Sequence, residues 1–110
     1  MTGISAGARL TYLANGSSSS LTLAYTAVTS AYSVQLTDFV IDCTSGTFTV
    51  LLPTAVGISG KQFAIKNSDS GSITVDGNGS ETIDGALTFV LSTKGEAIWI
   101  VSDGANWKVI

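Results

Sequence analysis

Histidine is absent from the 110 residues, while cysteine, proline and methionine occur once each, and only 12% of positions carry a charge, about half the usual share. Without histidine the chain lacks the usual general base, the Ser/His/Asp triad and the commonest zinc ligand. Cys43 cannot form an intrachain disulfide on its own, so cysteine usage leaves the redox compartment open. No apolar run approaches the ~20 residues of a spanning helix, and MTGISAGARL lacks the basic-then-apolar layout of a signal peptide. The five basic residues, Arg9, Lys61, Lys66, Lys94 and Lys108, are scattered along a chain of net charge −3. Phosphate backbones are bound by clustered basic faces, so nucleic acid is not an expected partner, and neither is a membrane.

The residues that are present make 45% of the chain hydrophobic, with Ser, Thr and Gly filling much of the rest. The length suits one domain. From Asp38 onward, short β-branched and aromatic runs alternate with Gly, Asn and Asp. The expected strands are FVIDC (39–43), TFTVLL (47–52), KQFAIKN (61–67), SITV (72–75), ETID (81–84), LTFVL (87–91), EAIWIVS (96–102) and NWKVI (106–110). Such runs with Gly-bearing turns between them predict an all-β fold, a small antiparallel sandwich or barrel. No segment sustains helical periodicity. Residues 1–37 carry one charge, Arg9, and two further strands are expected there, near 9–14 and 21–28, on either side of the ANGSSSS interruption.

The stretch ITVDGNGSETIDG (73–85) concentrates acids and glycines and has to be weighed as a metal site. Asp76, Asn78 and Ser80 have the spacing of the first ligands of a helix–loop–helix calcium loop. Glu81 then stands where that loop needs glycine, and Leu87 where it needs a bidentate Glu. The Gly-rich nonapeptide calcium repeat fails as well. Turn chemistry explains the residues better, because Asp-Gly at 76–77 and 84–85 is a strong two-residue hairpin signal, and Asp103-Gly104 repeats the device. No metal, cofactor or catalytic residue is expected. An acidic pair drawn from Asp76, Glu81 and Asp84 is the only cluster that could serve a glycosidase.

Cys43, in an alternating strand with no basic neighbour, reads as a buried, inert thiol. Trp99, Trp107, Tyr12, Tyr25 and Tyr32 could each stack on a sugar ring, but Trp99 lies within the apolar run AIWIV and reads as core. Asn15-Gly-Ser and Asn78-Gly-Ser are formal glycosylation sequons.

From Asp38 to the end, TSGTFTVLLPTA, GKQFAIKN, ITVDGNGSETIDG and LSTKGEAIWIVSDGANWKVI resemble a β-module of bacteriophage virion proteins, found in tail fibres, head fibres and capsid decoration proteins. The resemblance covers residues 38–110 and implies a non-enzymatic, trimeric module on the virion exterior. Residues 1–37 fall outside it and are expected to attach or oligomerise the protein. A mean hydropathy of +0.41 in so short a chain independently favours burial between subunits. Pro53 and sparse lysines give the strand edges few guards against pairing.

These observations lead to the expectation of a capsid decoration (cement) or head-fibre protein, a homotrimer bound to the major capsid protein on the outside of the shell. A chain opening with Met and closing on the terminal motif favours that reading. The alternative is a receptor-binding tip of a tail fibre that recognises host surface glycans. A glycan-degrading fragment is disfavoured by the missing histidine. The alternation of Leu10, Tyr12, Leu21, Leu23 and Tyr25 marks them as the expected partner contacts.

Overall fold

In KQFAIKN every second residue from Phe63 turns inward, and Phe63, Ile65 and Asn67 are buried while their neighbours face outward. This two-residue period is the local signal of a strand with one face on the core, and it recurs through the chain. The computed structural model describes residues 21–110, so the strand expected at 9–14, with Leu10 and Tyr12, lies outside the described residues. The described residues contain no helix and nine strands: β1 (Tyr25–Val28), β2 (Tyr32–Ser33), β3 (Val40–Cys43), β4 (Phe48–Leu51), β5 (Gln62–Asn67), β6 (Ile73–Asp76), β7 (Thr88–Leu91), β8 (Ala97–Ser102) and β9 (Trp107–Val109). The all-β expectation is met.

The pairing differs from the antiparallel arrangement expected. One sheet has the order β1-β3-β5-β8-β9 and the other β2-β4-β6-β7. β1 with β3, β3 with β5, β2 with β4 and β4 with β6 are all parallel, and only the pairs involving β7, β8 or β9 are antiparallel. The chain therefore winds as a coil, each turn giving one strand to each sheet, and the last three strands close it. Parallel neighbours require a crossover, and here a strand of the other sheet supplies it. Successive corners stack as well, with Thr44 N donating to Val28 O at 2.9 Å and Ser68 N to Cys43 O at 2.8 Å.

Both sheets feed one core. Ile41, Ile65 and Ile98 share a row on the first sheet, Val50 and Val75 are paired on the second, and all belong to a single buried cluster with Trp107, Phe63 and Leu52. Burying a side chain of this kind contributes roughly 1.5–3 kcal/mol. β1 and β2 precede residue 38 yet pair with β3 and β4, and Val28 and Val34 join the same core.

Three local expectations change. ETID (81–84) forms no strand, because Ile83 only bridges to Ala86 and Trp107. The two-residue β2 was not anticipated, being too short to show a period. Trp99, read as core, is 47% exposed, whereas Trp107 is fully buried. Ile98, Ile100 and Ser102 take the inward positions of β8, so Trp99 must point out, and the apolar character of AIWIV hides that alternation.

Candidate functional site

The outward face of the first sheet carries the most distinctive chemistry. Register places Tyr25, Val40, Ala64 and Trp99 in one row across β1, β3, β5 and β8, and Ile110 extends it, its N–H donating to Trp99 O at 2.8 Å. Tyr25, Trp99 and Ile110 are exposed. The indole of Trp99 is held in place, with Nε1 donating to Gln62 Oε1 at 2.9 Å and the ring meeting Phe39 edge-on at 5.7 Å and 80°. Two residues further along each strand, Asp42 and Lys66 flank the row, while Gln62 and Lys108 flank it on the other side through Val101. Asp42 accepts from Tyr25 Oη at one carboxylate oxygen and from Ser68 Oγ at the other. The Tyr25–Asp42 hydrogen bond raises the phenol above its ordinary value.

Of the five expected partner contacts, Leu21, Leu23 and Tyr25 fall among the described residues, and all three are exposed, Leu21 at 85% and Tyr25 at 63%. They occupy alternate positions of the segment that leads into β1.

The acids of 73–85 point in different directions. Glu81 accepts from Thr54 Oγ1 and, at 2.8 Å, from Ala55 N, which pins the segment after Pro53. Asp84 has a positive φ of 49° and Gly85 one of 88°, and Ile83 and Ala86 exchange both backbone hydrogen bonds around them, the two-residue turn expected of Asp-Gly. Asp103 acts through its side chain, Oδ1 accepting from Ala105 N and Asn106 N at 2.9 and 2.7 Å. These bonds hold its carboxyl below the ordinary range. Asp76 departs from the turn expectation. It ends β6 opposite Thr88, and Gly77 has no positive φ. Glycine is needed at 77 for a different reason, since a Cβ there would stand 2.4 Å from the Glu81 carbonyl oxygen. Among the described residues no three His, Cys, Asp or Glu side chains group as metal ligands.

Two titratable side chains are buried among the described residues. Cys43 is buried, and desolvation together with the charge of Asp42 pushes its thiol up to about 11. Asp38, 7% exposed, accepts from Tyr32 Oη at 2.6 Å, Thr26 Oγ1 at 2.8 Å and Gln35 N at 2.8 Å. It thereby ties β1 of one sheet to β2 of the other. Burial works to raise its carboxyl, but those three bonds and the charge of Lys61 outweigh it and lower the value below 3.8. Sequence reading missed both this clasp and the Gln62–Trp99–Phe39 group. The period of Ile98, Ile100 and Ser102 was the available signal for the latter.

Compared with known proteins, the chain matches no family model and no curated protein sequence.

Proposed function

We propose that the chain is a non-enzymatic structural protein of a bacteriophage virion, a capsid decoration or head-fibre protein that binds the outer surface of the shell. The observation that carries this reading is the exposed apolar group Leu21, Leu23 and Tyr25 at the start of the fold. So little charge is available elsewhere that attachment rests on apolar burial and backbone pairing. The motifs of 38–110 quoted above support the virion assignment by their resemblance. In this reading the two sheets pack as a sandwich, three copies associate, residues 1–37 face the major capsid protein with Leu10 and Tyr12 among the contacts, and the remainder projects outward.

The test is occupancy of shells assembled from the accompanying major capsid protein. Replacing Leu21, Leu23 and Tyr25 together by Ser should empty the shells while leaving the fold intact, and salt should affect binding by the unaltered chain only weakly. Light scattering on the free protein should give about three times the 11.2 kDa chain mass. Full occupancy by the triple variant would move the attachment surface elsewhere, and a clean monomer would remove the trimer.

A further inference from the structure

The turn that leads from β6 to Glu81 carries chemistry that shell attachment does not use. Asn78, Gly79 and Ser80 are exposed, and Glu81 N donates to Asn78 O at 3.0 Å to close the turn. Gly79, with a φ of 58°, takes its first central position, which favours glycine. Among the described residues the Gly79 N–H donates to no protein group, and a Cβ placed on Gly79 would meet nothing within 4 Å, so the Asn78 carboxamide has open space to swing over that nitrogen. The other asparagines of the described residues are held. Asn67 is buried, its carboxamide donates to Gly71 O and Leu91 O at 2.7 and 2.9 Å, and the next N–H, of Ser68, donates to Cys43 O at 2.8 Å. Asn106 Oδ1 accepts from Thr82 N at 2.9 Å, and Trp107 N donates to Thr82 O at 2.8 Å. The Asp-Gly pairs are engaged in the same way at Gly77 and Gly104, whose N–H groups donate to Leu87 O at 3.1 Å and Ser102 Oγ at 3.0 Å.

We propose that Asn78 is a site of spontaneous covalent modification, losing its amide to water through a succinimide formed with Gly79 N. That nitrogen gives its proton to hydroxide and attacks Asn78 Cγ. The new C–N bond forms as the bond from Cγ to the side-chain nitrogen breaks, and the side-chain nitrogen leaves as ammonia. Water then opens the ring at Cγ to give aspartate, or at the backbone carbonyl to give isoaspartate, in which the chain runs through Cβ and Cγ. The sum is a water taken up and an ammonia released, with no oxidant or reductant. Glycine permits the attack, since a side chain at 79 would crowd the nitrogen. The isoaspartyl product lengthens the backbone in a stretch that is held tightly. A Cβ on Gly77 would stand 2.4 Å from the Glu81 carbonyl oxygen, and the Glu81 carboxylate grips Thr54 Oγ1 and Ala55 N. The aged form therefore holds the segment after Pro53 less firmly. Shell attachment plays no part in this chemistry.

The experiment is ageing of the full chain in mildly alkaline buffer, with tandem mass spectrometry of proteolytic peptides to place each lost amide. Asn78 should lose its amide at least ~10-fold faster than Asn67 and Asn106, at a rate that rises with pH, and isoaspartyl methyltransferase should label the aged chain at 78. Asn15-Gly16, outside the described residues, is read separately by its own fragments. Gly79→Ala should slow the loss at 78 by ~10-fold, and Asn78→Gln, whose longer side chain closes a larger ring, should keep its amide. Circular dichroism checks that each variant is folded. The isoaspartyl fraction, separated by ion exchange, should unfold at lower urea than Asn78→Asp, which carries the same charge on an ordinary backbone. Retention of the Asn78 amide for as long as those of Asn67 and Asn106, or equally fast loss in folded Gly79→Ala, overturns the site. An isoaspartyl fraction with the urea midpoint of Asn78→Asp overturns its effect on the Glu81 contacts.

Discussion

Replacing Asp38 by Ala should be among the most damaging single changes in this chain. The side chain is buried and serves three donors, Tyr32 Oη, Thr26 Oγ1 and Gln35 N, at 2.6 to 2.8 Å. A hydrogen bond to a charged acceptor contributes about 1.5–3 kcal/mol. The three are not additive, because they share one carboxylate and the half-buried Tyr32 hydroxyl regains water once released. We therefore expect a loss of about 3 kcal/mol, roughly 10–20 °C in Tm for a domain of this size. Asp38→Asn keeps one acceptor oxygen and should cost about half as much. The assay is urea unfolding of Asp38→Ala, Tyr32→Phe and the double variant, whose coupling should reach about 1–2 kcal/mol. The sign with pH is fixed by the lowered carboxyl. The unfolded chain binds the proton more readily, so the contribution is whole above the ordinary 3.8 and is lost as pH falls through the lower folded value. The gap between the native chain and Asp38→Asn should close on acidification. A loss below about 1 kcal/mol in Asp38→Ala, or simple additivity in the cycle, would refute the clasp.

At the alkaline end the same pair acts in reverse. Hydrogen bonding to Asp38, then burial and the Asp38 charge, raise Tyr32 to about 12, so its contribution is intact below the ordinary 10.0 and is lost as pH rises through about 12. Urea midpoints across that window should fall in the native chain and fall less steeply in Tyr32→Phe, where the raised Cys43 thiol still titrates. Gly77→Ala should cost about 2 kcal/mol through collision with the Glu81 carbonyl, against about 1 kcal/mol for Gly85→Ala, where only the positive φ is strained. The opposite order in thermal melts would contradict the close approach at Gly77. Asp84→Asn should be nearly neutral by the same measurement, since Asn tolerates a positive φ and still offers an oxygen to Val109 N. Cys43 should resist thiol reagents in the native state and react fully in urea; rapid native labelling would show that the site opens.

How far the sequence could be read depended on the range of each signal. Alternation in KQFAIKN and SITV announced β5 and β6, and Asp84-Gly85 announced its turn, because these depend on neighbouring residues alone. Pairing direction was hidden, since a strand with one buried face shows the same period whether its neighbour runs parallel or antiparallel. The two tryptophans were misjudged for a related reason. In AIWIV both faces of β8 are apolar, so composition pointed inward where the pleat pointed Trp99 out, while Trp107, in the mixed context NWKVI, closes the core. Asp38 gave no sign of its role because its donors are 12, 6 and 3 residues away and meet only at the junction of the two sheets.

The winding of the chain also sets an order of assembly. In the coiled part, partners such as Tyr25 and Val40 are 15 residues apart, and Val40 and Ala64 are 24 apart. Each such pairing closes a long loop before any contact repays the entropy. At the other end Ser102 meets Trp107 after 5 residues and Asp76 meets Thr88 after 12, so these two antiparallel pairs can form as local hairpins, whereas Lys66 of β5 and Ala97 of β8 are 31 apart. The last strands of the fold are thus the ones equipped to nucleate, and β5, once paired with β8, passes their register back to β3 and then β1. A ribosome-bound chain lacking β8 and β9 would hold the early strands without a template, their backbone edges open to neighbouring chains. For this topology, the arrival of β8 and β9 is the step that protects the nascent fold from aggregation.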